Sequence, residues 1–313
     1  MKNGNYLKPQ TVDEALHMAR GCEGNYIYLG GGTDIQVHRK QALNSASTVI
    51  DLCSIPALHY LKLKQQVLQI GALTTLEELI TFPAVKKYWP LISRAAAVVA
   101  TPVIRKTATV GGNLLVRNRC TFYNQSLEWR RAIGSCLRDT GSKCQITGST
   151  QKCYARNVSD LSPALIALGA TVSIQSGEQH QKMALDQVYR PDGLKPLRYL
   201  DAGAILTKIE VPVMPGRWWF QKLRLRESLD FTSLTVAGCR DKDNRIRIVV
   251  NGVSPAPVLI SGAVKTLTLS EIQRQARKGC QTIENDLLPR KYRREMLALY
   301  LRQCFDALTQ PSG

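Results

Sequence analysis

The spacing of hydrophobic and polar residues alternates between helical and strand-like along the first part of the chain. TVDEALHMAR has helical spacing behind a capping residue, Thr11, whereas YIYL and TVIDL are short apolar or β-branched runs typical of strands. Two alternating segments follow in LHYLKLKQQVLQIGALTT, then helical LEELITF and a long helical stretch from about Val85 to Val99. The pattern predicts a small α/β unit, about residues 1–54, and a second unit that begins near residue 55.

The same kind of pattern resumes at Asp160. LSPALIALG is spaced as a helix, and ATVSIQS and ILTKIEVPV as strands, so we interpret residues 116–156 as an insertion into one domain that ends near residue 215. Three strand-like runs follow, RWWFQKLRLR, TSLTVAGCRD and RIRIVVNGVSP, and then two helical segments, LSEIQRQARKG and PRKYRREMLALYLRQCFDAL. The pattern predicts a C-terminal α+β domain, residues 216–313, with a three-stranded antiparallel sheet plus helices.

Composition narrows the class of protein. The 313 residues, 44% of them hydrophobic, suffice for two or three domains with buried cores. The N-terminus is polar where a secretory signal is apolar, and no apolar run is long enough to cross a bilayer, which predicts a cytoplasmic protein without membrane contact. A formal charge of +18 suits nucleic acid, anionic cofactors or an acidic partner protein, but the basic residues form no recognised nucleic-acid motif.

The nine cysteines fall into two groups. Five are scattered singly and are interpreted as small buried hydrophobic residues. Cys120, Cys136, Cys144 and Cys153 lie close together with the spacing C-x15-C-x7-C-x8-C. Four thiolates bind a zinc ion or a [4Fe–4S] cluster, and both zinc sites and bacterial ferredoxins normally use tighter spacing, so the spacing alone leaves both metals open. Disulfides are disfavoured in a reducing compartment.

Two glycine-rich segments are candidate anion sites. Gly30-Gly31-Gly32-Thr33-Asp34 follows the apolar YIYL, and TATVGGNLL contains Thr109 and the Gly111-Gly112-Asn113 run. Consecutive glycines let backbone N–H groups approach a phosphate closely, and two such nests suit a dinucleotide whose diphosphate lies between two subdomains. Neither segment is GxGxxG or a P-loop, which disfavours nicotinamide-binding Rossmann and P-loop nucleotide sites.

The order of these motifs resembles a known family. GGGTD, IRKTATVGGNLL, SDLSPALIALGA, ILTKIEVP and KLRLRESLDF, over about residues 5–300, resemble the FAD-binding medium subunits of the molybdenum hydroxylases, including xanthine and carbon monoxide dehydrogenases. The resemblance implies an α+β chain with a two-subdomain FAD-binding domain of the vanillyl-alcohol-oxidase (PCMH) type. It also implies an oxidoreductase subunit with no catalytic residues of its own, partnered by a molybdopterin-binding large subunit and a [2Fe–2S] small subunit.

The resemblance also assigns FAD contacts residue by residue. Both glycine nests would hold the diphosphate with Thr109 as a donor, Asp160 would contact sugar or ribityl hydroxyls, Ile205 and Leu206 would pack beside the flavin, and Lys222 would lie near the isoalloxazine. From the residues alone, Asp160 equally caps the helix that follows it, and Lys222 is a solvated side chain. The predicted FAD contacts are Tyr28, Leu29, Gly30, Gly31, Gly32, Thr33, Asp34, Ile35, Val99, Thr101, Thr109, Gly111, Gly112, Asn113, Leu115, Asp160, Ile205, Leu206 and Lys222.

The insertion resembles one found in the β subunits of 4-hydroxybenzoyl-CoA reductases. There, four cysteines at this spacing bind a [4Fe–4S] cluster, which implies that Cys120, Cys136, Cys144 and Cys153 are cluster ligands and that a ferredoxin or NAD(P) is the external redox partner. Nearby basic residues would offset the cluster charge or dock an acidic carrier, or form a solvated loop surface. These residues are Arg117, Arg119, Arg130, Arg131, Arg138, Lys143 and Lys152.

Three functions from different classes follow. The first is an FAD- and [4Fe–4S]-containing electron-transfer subunit of a molybdenum-cofactor oxidoreductase that acts on an aromatic acyl-CoA or a related compound. Alternatively, the chain is the FAD subunit of a xanthine dehydrogenase-like enzyme or of another aromatic or heterocycle hydroxylase. The second is a zinc-stabilised nucleic-acid-binding protein, which needs neither glycine nest, and the third is a flavin-free scaffold subunit. We also predict that the insertion is separate from both nests, so that Cys136→Ser removes the iron but leaves FAD bound.

Overall fold

Short strands and a capped helix build the first region of the chain. A computed structural model describes residues 4–200, 203–213 and 216–310. The elements are β1 (Asn5–Leu7), α1 (Val12–Gly21), β2 (Tyr26–Leu29), α2 (Ile35–Lys40) and β3 (Thr48–Asp51). The strands form a parallel sheet in the order β1-β3-β2. Helix α1 begins where predicted, because the hydroxyl of Thr11 accepts a hydrogen bond from the N–H of Glu14.

The second region contains a five-stranded antiparallel sheet in the order β4-β5-β8-β6-β7. Its elements are β4 (Leu61–Lys64), β5 (Val67–Gly71), α3 (Leu76–Thr81), α4 (Pro83–Tyr88), α5 (Pro90–Ala97), α6 (Pro102–Arg105), α7 (Val110–Leu114), α8 (Leu127–Ile133), α9 (Leu161–Ala167), β6 (Thr171–Ser176), β7 (Gln179–Ala184) and β8 (Ile205–Pro212). Helix α7 contacts β5, and α3, α4, α5, α7 and α9 share one hydrophobic core with the sheet. Helix α8 belongs to the insertion.

The long helix predicted between Val85 and Val99 is wrong, because the chain forms two helices there. Trp89 has φ −132° and ψ 55°, which is not helical, and Pro90 starts α5. A residue before proline avoids the helical region, and proline has no N–H to continue the previous helix. Trp89 is fully buried, and its indole N–H donates to the carbonyl of Pro212 at 2.9 Å, which ties the break to β8.

The C-terminal region has four strands, where the sequence analysis predicted three. Its elements are β9 (Arg217–Leu223), β10 (Leu234–Arg240), β11 (Arg245–Asn251), β12 (Val258–Ala263), α10 (Leu269–Gly279) and α11 (Arg290–Thr309). The sheet is antiparallel in the order β12-β11-β10-β9. Only Ile260 of β12 is fully buried, so this edge strand carries little of the alternation that marks a strand in a sequence.

Helix α9 lies at the centre of the molecule. All seven of its residues are buried, and it packs against β10 and β11 as well as α5 and α7. Ala237, Cys239 and Val249 of the C-terminal sheet therefore share one core with the second region. The predicted boundaries near residues 54 and 215 stay predictions. Among the described helices, none is long and apolar enough to cross a membrane.

The insertion is closed at its base by a short backbone bridge. The N–H of Arg119 donates to the carbonyl of Arg156 at 2.8 Å, and the reverse bond measures 2.9 Å. Within the loop, the buried guanidinium of Arg130 pairs with Asp139 at 3.0 Å and donates to the carbonyl of Gln41 at 3.1 Å. The loop is therefore fastened to the end of α2 in the first region.

Candidate cofactor sites

A cavity of about 500 Å³ opens where loops of all three regions meet. The turn from β2 to α2 and the start of α7 form one part of its wall, and the start of β8 forms another. Residues 158 and 160, which precede α9, and residues 229–231, between β9 and β10, complete it. This volume lies in the range of cavities that enclose a small-molecule ligand or cofactor.

The two glycine nests contact each other backbone to backbone. A Cβ atom placed on Gly31 would lie 1.7 Å from the carbonyl oxygen of Thr107, and one placed on Gly111 would lie 2.8 Å from the carbonyl oxygen of Ala72. Gly32 has φ +72°, a conformation that glycine adopts without strain. Close packing therefore requires glycine at positions 31 and 111, and the backbone conformation favours it at position 32, apart from any contact with a ligand.

Thr109 and Asn113 hold the second nest in place. The hydroxyl of Thr109 caps α7 by accepting from the N–H of Gly112 at 3.1 Å, which leaves its proton for a ligand acceptor. The side-chain oxygen of Asn113 accepts from the hydroxyl of Ser159 at 2.9 Å and from the N–H of Leu161 at 3.2 Å. Asn113 thus joins the second nest to the start of α9.

Asp160 does not cap α9, contrary to one of its two predicted roles. Its side chain makes no capping bond, and Ser159 accepts the N–H of Ser162 at 3.0 Å instead. Asp160 is 3% exposed; one carboxylate oxygen accepts from Lys222 Nζ at 2.7 Å, and the other has no partner among the described residues. Burial raises the pKa of Asp160, and the charge of Lys222 opposes that rise.

Lys222 is buried rather than solvated. Its side chain is 2% exposed, and its ammonium also donates to the carbonyl of Val98 at 3.1 Å. Asp160 lines the cavity, whereas Lys222 is not among the lining residues. A ligand hydroxyl would satisfy the unpartnered oxygen of this buried carboxyl group.

All but three of the predicted FAD contacts line the cavity. Leu29 ends β2 and is not among the lining residues, although its Cδ1 would lie 3.3 Å from a Cβ atom placed on Gly32. The hydroxyl of Thr101 is used as the cap of α6, and Lys222 lies behind Asp160. The residues that do line the cavity are Tyr28, Gly30, Gly31, Gly32, Thr33, Asp34, Ile35, Val99, Thr109, Gly111, Gly112, Asn113, Leu115, Asp160, Ile205 and Leu206.

The cavity also has a polar corner that the sequence analysis did not assign to FAD. Arg119, from the insertion, forms an ion pair with Asp34, and its guanidinium carbon lies 4.3 Å from the centre of the Phe231 ring. Arg117 and His38 line the cavity beside them. The sequence analysis had placed both arginines near the cysteines; their position in the cavity depends on the folding of the insertion base against α2.

The four clustered cysteines line a second, much smaller cavity of about 20 Å³. The side chains of Tyr123 and Arg138 are part of its wall, and they stack with the guanidinium carbon 4.3 Å from the ring centre. The described residues contain no group of three or more His, Cys, Asp and Glu side chains that could hold a metal ion. Burial raises the pKa of Cys120, and it raises the pKa of Cys153 to about 11.

The seven basic residues near the cysteines do not share one role. Arg130 is buried, Arg138 is half-buried and lines the cysteine cavity, and Arg117 and Arg119 line the large cavity. Lys152 lies 5.2 Å from the centre of the Tyr154 ring. Arg131 and Lys143 are exposed, as a solvated loop surface requires.

The fold and the nests define a protein that binds a dinucleotide cofactor between its regions. Residues 2–214 match the family described as the FAD binding domain in molybdopterin dehydrogenase, and the chain belongs to this family. This membership confirms the predicted family and its FAD-binding domain, and it identifies the chain as part of an oxidoreductase.

Individual proteins agree with this membership. The aldehyde oxidoreductase FAD-binding subunit PaoB of Escherichia coli is 27% identical over 84% of this chain and 85% of its own length. The nicotinate dehydrogenase FAD-subunit of Eubacterium barkeri is 26% identical over 73% of this chain and 66% of its own length. A chain of carbon monoxide dehydrogenase from Oligotropha carboxidovorans matches with a TM-score of 0.76 at 18% identity, covering 98% of this chain and 97% of that chain. The structural match confirms the predicted fold class.

Proposed function

We propose that the protein is the FAD- and [4Fe–4S]-containing electron-transfer subunit of a heteromeric molybdenum-cofactor oxidoreductase similar to 4-hydroxybenzoyl-CoA reductase. Bound flavin exchanges electrons one or two at a time, and an iron–sulfur cluster exchanges them singly. One observation carries the proposal: consecutive residues line the two cavities, since Arg119 lines the cavity of the FAD-binding domain and Cys120 lines the cavity with the four thiols.

The large cavity offers separate groups to the diphosphate, the hydroxyls and the ring system of FAD. The backbone N–H groups of the first nest and the Thr109 hydroxyl would serve a diphosphate, and the glycines carry no side chain that would block its approach. In the second nest, the N–H groups of Gly111 and Gly112 already donate to Ala72 and Thr109. The free oxygen of Asp160 suits a ribityl or sugar hydroxyl. Apolar Ile205 and Leu206 offer a surface for the ring system. These residues bind and orient the cofactor, and the charge of Lys222 keeps Asp160 available as an acceptor.

The cluster is proposed from the resemblance of the insertion and not from the shape of the cysteine cavity. A zinc ion needs four sulfur atoms about 2.3 Å from one point, and the described residues contain no group of three or more His, Cys, Asp and Glu side chains that could hold a metal ion of either kind. A cubane distributes its four thiolates over four iron atoms, so the sulfur atoms stand farther apart around a shared space. The cavity of about 20 Å³ is smaller than a cubane, so cluster assembly must move the thiols outward.

Partners and substrate follow from the same proposal. The related proteins are named as FAD subunits of an aldehyde oxidoreductase and a nicotinate dehydrogenase, which supports a heteromeric complex with a molybdopterin-binding large subunit and a [2Fe–2S] small subunit. A ferredoxin or NAD(P) would exchange electrons with that complex in the cytoplasm. The insertion favours an aromatic acyl-CoA substrate, and the similarity to the nicotinate enzyme supports hydroxylation of a heterocycle as the second candidate.

Cofactor analysis of anaerobically purified protein tests the proposal. We expect bound FAD together with about four iron and four sulfide per chain, and a broad absorbance shoulder beside the flavin bands. Cys136→Ser should lose the iron, whereas Cys22→Ser, outside the insertion, should keep it. Stoichiometric zinc in place of iron would refute the cluster, and a protein that binds no FAD would refute the proposed function as a whole.

A further inference from the structure

We propose that the insertion contributes to flavin binding: Arg117 and Arg119, with His38, bind the FAD diphosphate beside the first glycine nest. The inference rests on the proposed function, because it concerns the same cavity. It changes the expected relation of the two cofactor sites, since the sequence analysis predicted that the insertion is separate from both nests.

The two arginines are held in place by contacts that leave donors free. One nitrogen of Arg119 pairs with Asp34, the guanidinium carbon lies 4.3 Å from the Phe231 ring centre, and Nε is buried without a partner among the described residues. Arg117 is half-buried, and its Nη1 donates weakly to the carbonyl of Leu43 at 3.4 Å. Both line the cavity together with the glycines of the first nest. A guanidinium fixed beside backbone N–H groups is a strong phosphate donor.

His38 supplies an independent observation that points to a ligand. Its side chain is fully buried and lines the cavity, and within the described part of the chain neither ring nitrogen has a hydrogen-bond partner. The nearest carboxylate oxygen, on Asp34, is 3.8 Å away. Burial lowers the pKa of His38 to about 4, and the neighbouring arginines lower it further against the effect of Asp34. At pH 7 it is a neutral imidazole with one N–H that lacks an acceptor, which a phosphate oxygen would provide.

The charges at this corner fit a diphosphate. Arg117 and Arg119 carry two positive charges, Asp34 carries one negative charge, and His38 is neutral, which leaves a net charge of +1. Arg138 adds a further positive charge close enough to His38 to influence its titration. The nests offer only dipoles to the two negative charges of a diphosphate, and the insertion supplies the counter-charge.

Flavin titration of the FAD-stripped protein, with its cluster left intact, tests the inference. Arg119→Met and Arg117→Met are compared with Arg131→Met, an exposed arginine of the same insertion. We expect each of the first two to weaken FAD binding by about 10- to 100-fold, the loss typical of a charged hydrogen bond. The control should bind FAD like the wild type. The FAD affinity of the wild type should also fall more steeply with salt than that of either variant.

Riboflavin separates a phosphate contact from a structural effect, because it lacks the diphosphate. Binding of riboflavin should be equal in the wild type and the variants, and ADP should compete with FAD only weakly in Arg119→Met. Unchanged FAD affinity in both arginine variants would overturn the inference, as would an equal loss of affinity for FAD and riboflavin. A wild-type protein that binds no FAD would instead refute the proposed function.

Discussion

Replacing Lys222 with methionine tests the environment of Asp160 directly. Methionine keeps most of the side-chain volume but removes the ammonium that lies 2.7 Å from Asp160. The two side chains are only 2% and 4% exposed, so solvent cannot replace the lost partner. Removing one member of a buried ion pair typically costs about 3–5 kcal/mol of the free energy of unfolding. We expect a loss of this size for Lys222→Met at pH 8.

The loss should depend on pH in one direction. Burial already raises the pKa of Asp160, and without Lys222 that pKa rises further. A carboxyl whose folded-state pKa is raised destabilises the folded protein when it ionises, so the cost of Lys222→Met is greatest at high pH and shrinks as pH falls. Below the raised pKa of the variant, the stability recovers by up to about 1.4 kcal/mol per pH unit.

Urea unfolding of FAD-stripped protein, followed by circular dichroism between pH 5 and 8, measures both effects. Lys182→Met is the matched control, because Lys182 pairs with Glu210 at 2.6 Å but is 59% exposed, and such pairs contribute less than about 1 kcal/mol. The double variant Asp160→Asn/Lys222→Met, which buries no unpaired charge, should be more stable than Lys222→Met at pH 8. A loss below about 1 kcal/mol at pH 8, or one that is constant from pH 5 to 8, would refute this account of Asp160.

Two further substitutions test the glycine nests and the attachment of the insertion. Gly31→Ala should weaken FAD binding at least about tenfold, because the added Cβ would lie 1.7 Å from the Thr107 carbonyl oxygen and force the two nests apart. Gly21→Ala is the control, because a Cβ atom there meets no atom within 4 Å, and this variant should bind FAD normally in the same titration. Arg130→Met should leave Asp139 and the carbonyls at the end of α2 without the hydrogen bonds that Arg130 donates to them. Trypsin should therefore cut residues 116–156 faster in this variant than in Arg131→Met. Equal cutting of the two variants would contradict the role of Arg130 as an anchor of the insertion.

The sequence predicts local features well because their causes are local. The Thr11 cap and the glycine nests depend on neighbouring residues. Pro90 could likewise have divided the predicted helix. The burial of Lys222 was not predictable in this way, because its partner lies 62 residues earlier and the two meet only when α9 packs on the C-terminal sheet. The polar corner was not predictable for the same reason, because Arg119 meets Asp34 only after the insertion folds against α2.

The base of the insertion connects the walls of the two cavities. The bridge between Arg119 and Arg156 fixes both ends of the loop, and the C-terminal region holds the same base, since Asp286 pairs with Arg156 and Asn285 donates to the carbonyl of Tyr154 at 2.7 Å. Adjacent Cα atoms are about 3.8 Å apart, so a movement of Cys120 displaces Arg119 and its ion pair with the first nest.

Coupling of this kind must act in both directions. If cluster assembly at Cys120 positions Arg119 for the diphosphate, bound FAD stabilises the arrangement of the thiols by the same free energy. The distant part of the loop, with Cys136, is instead fastened to α2 through Arg130 and Asp139. The prediction that Cys136→Ser leaves FAD bound therefore concerns the outer part of the insertion, whereas its base belongs to the wall of the flavin cavity.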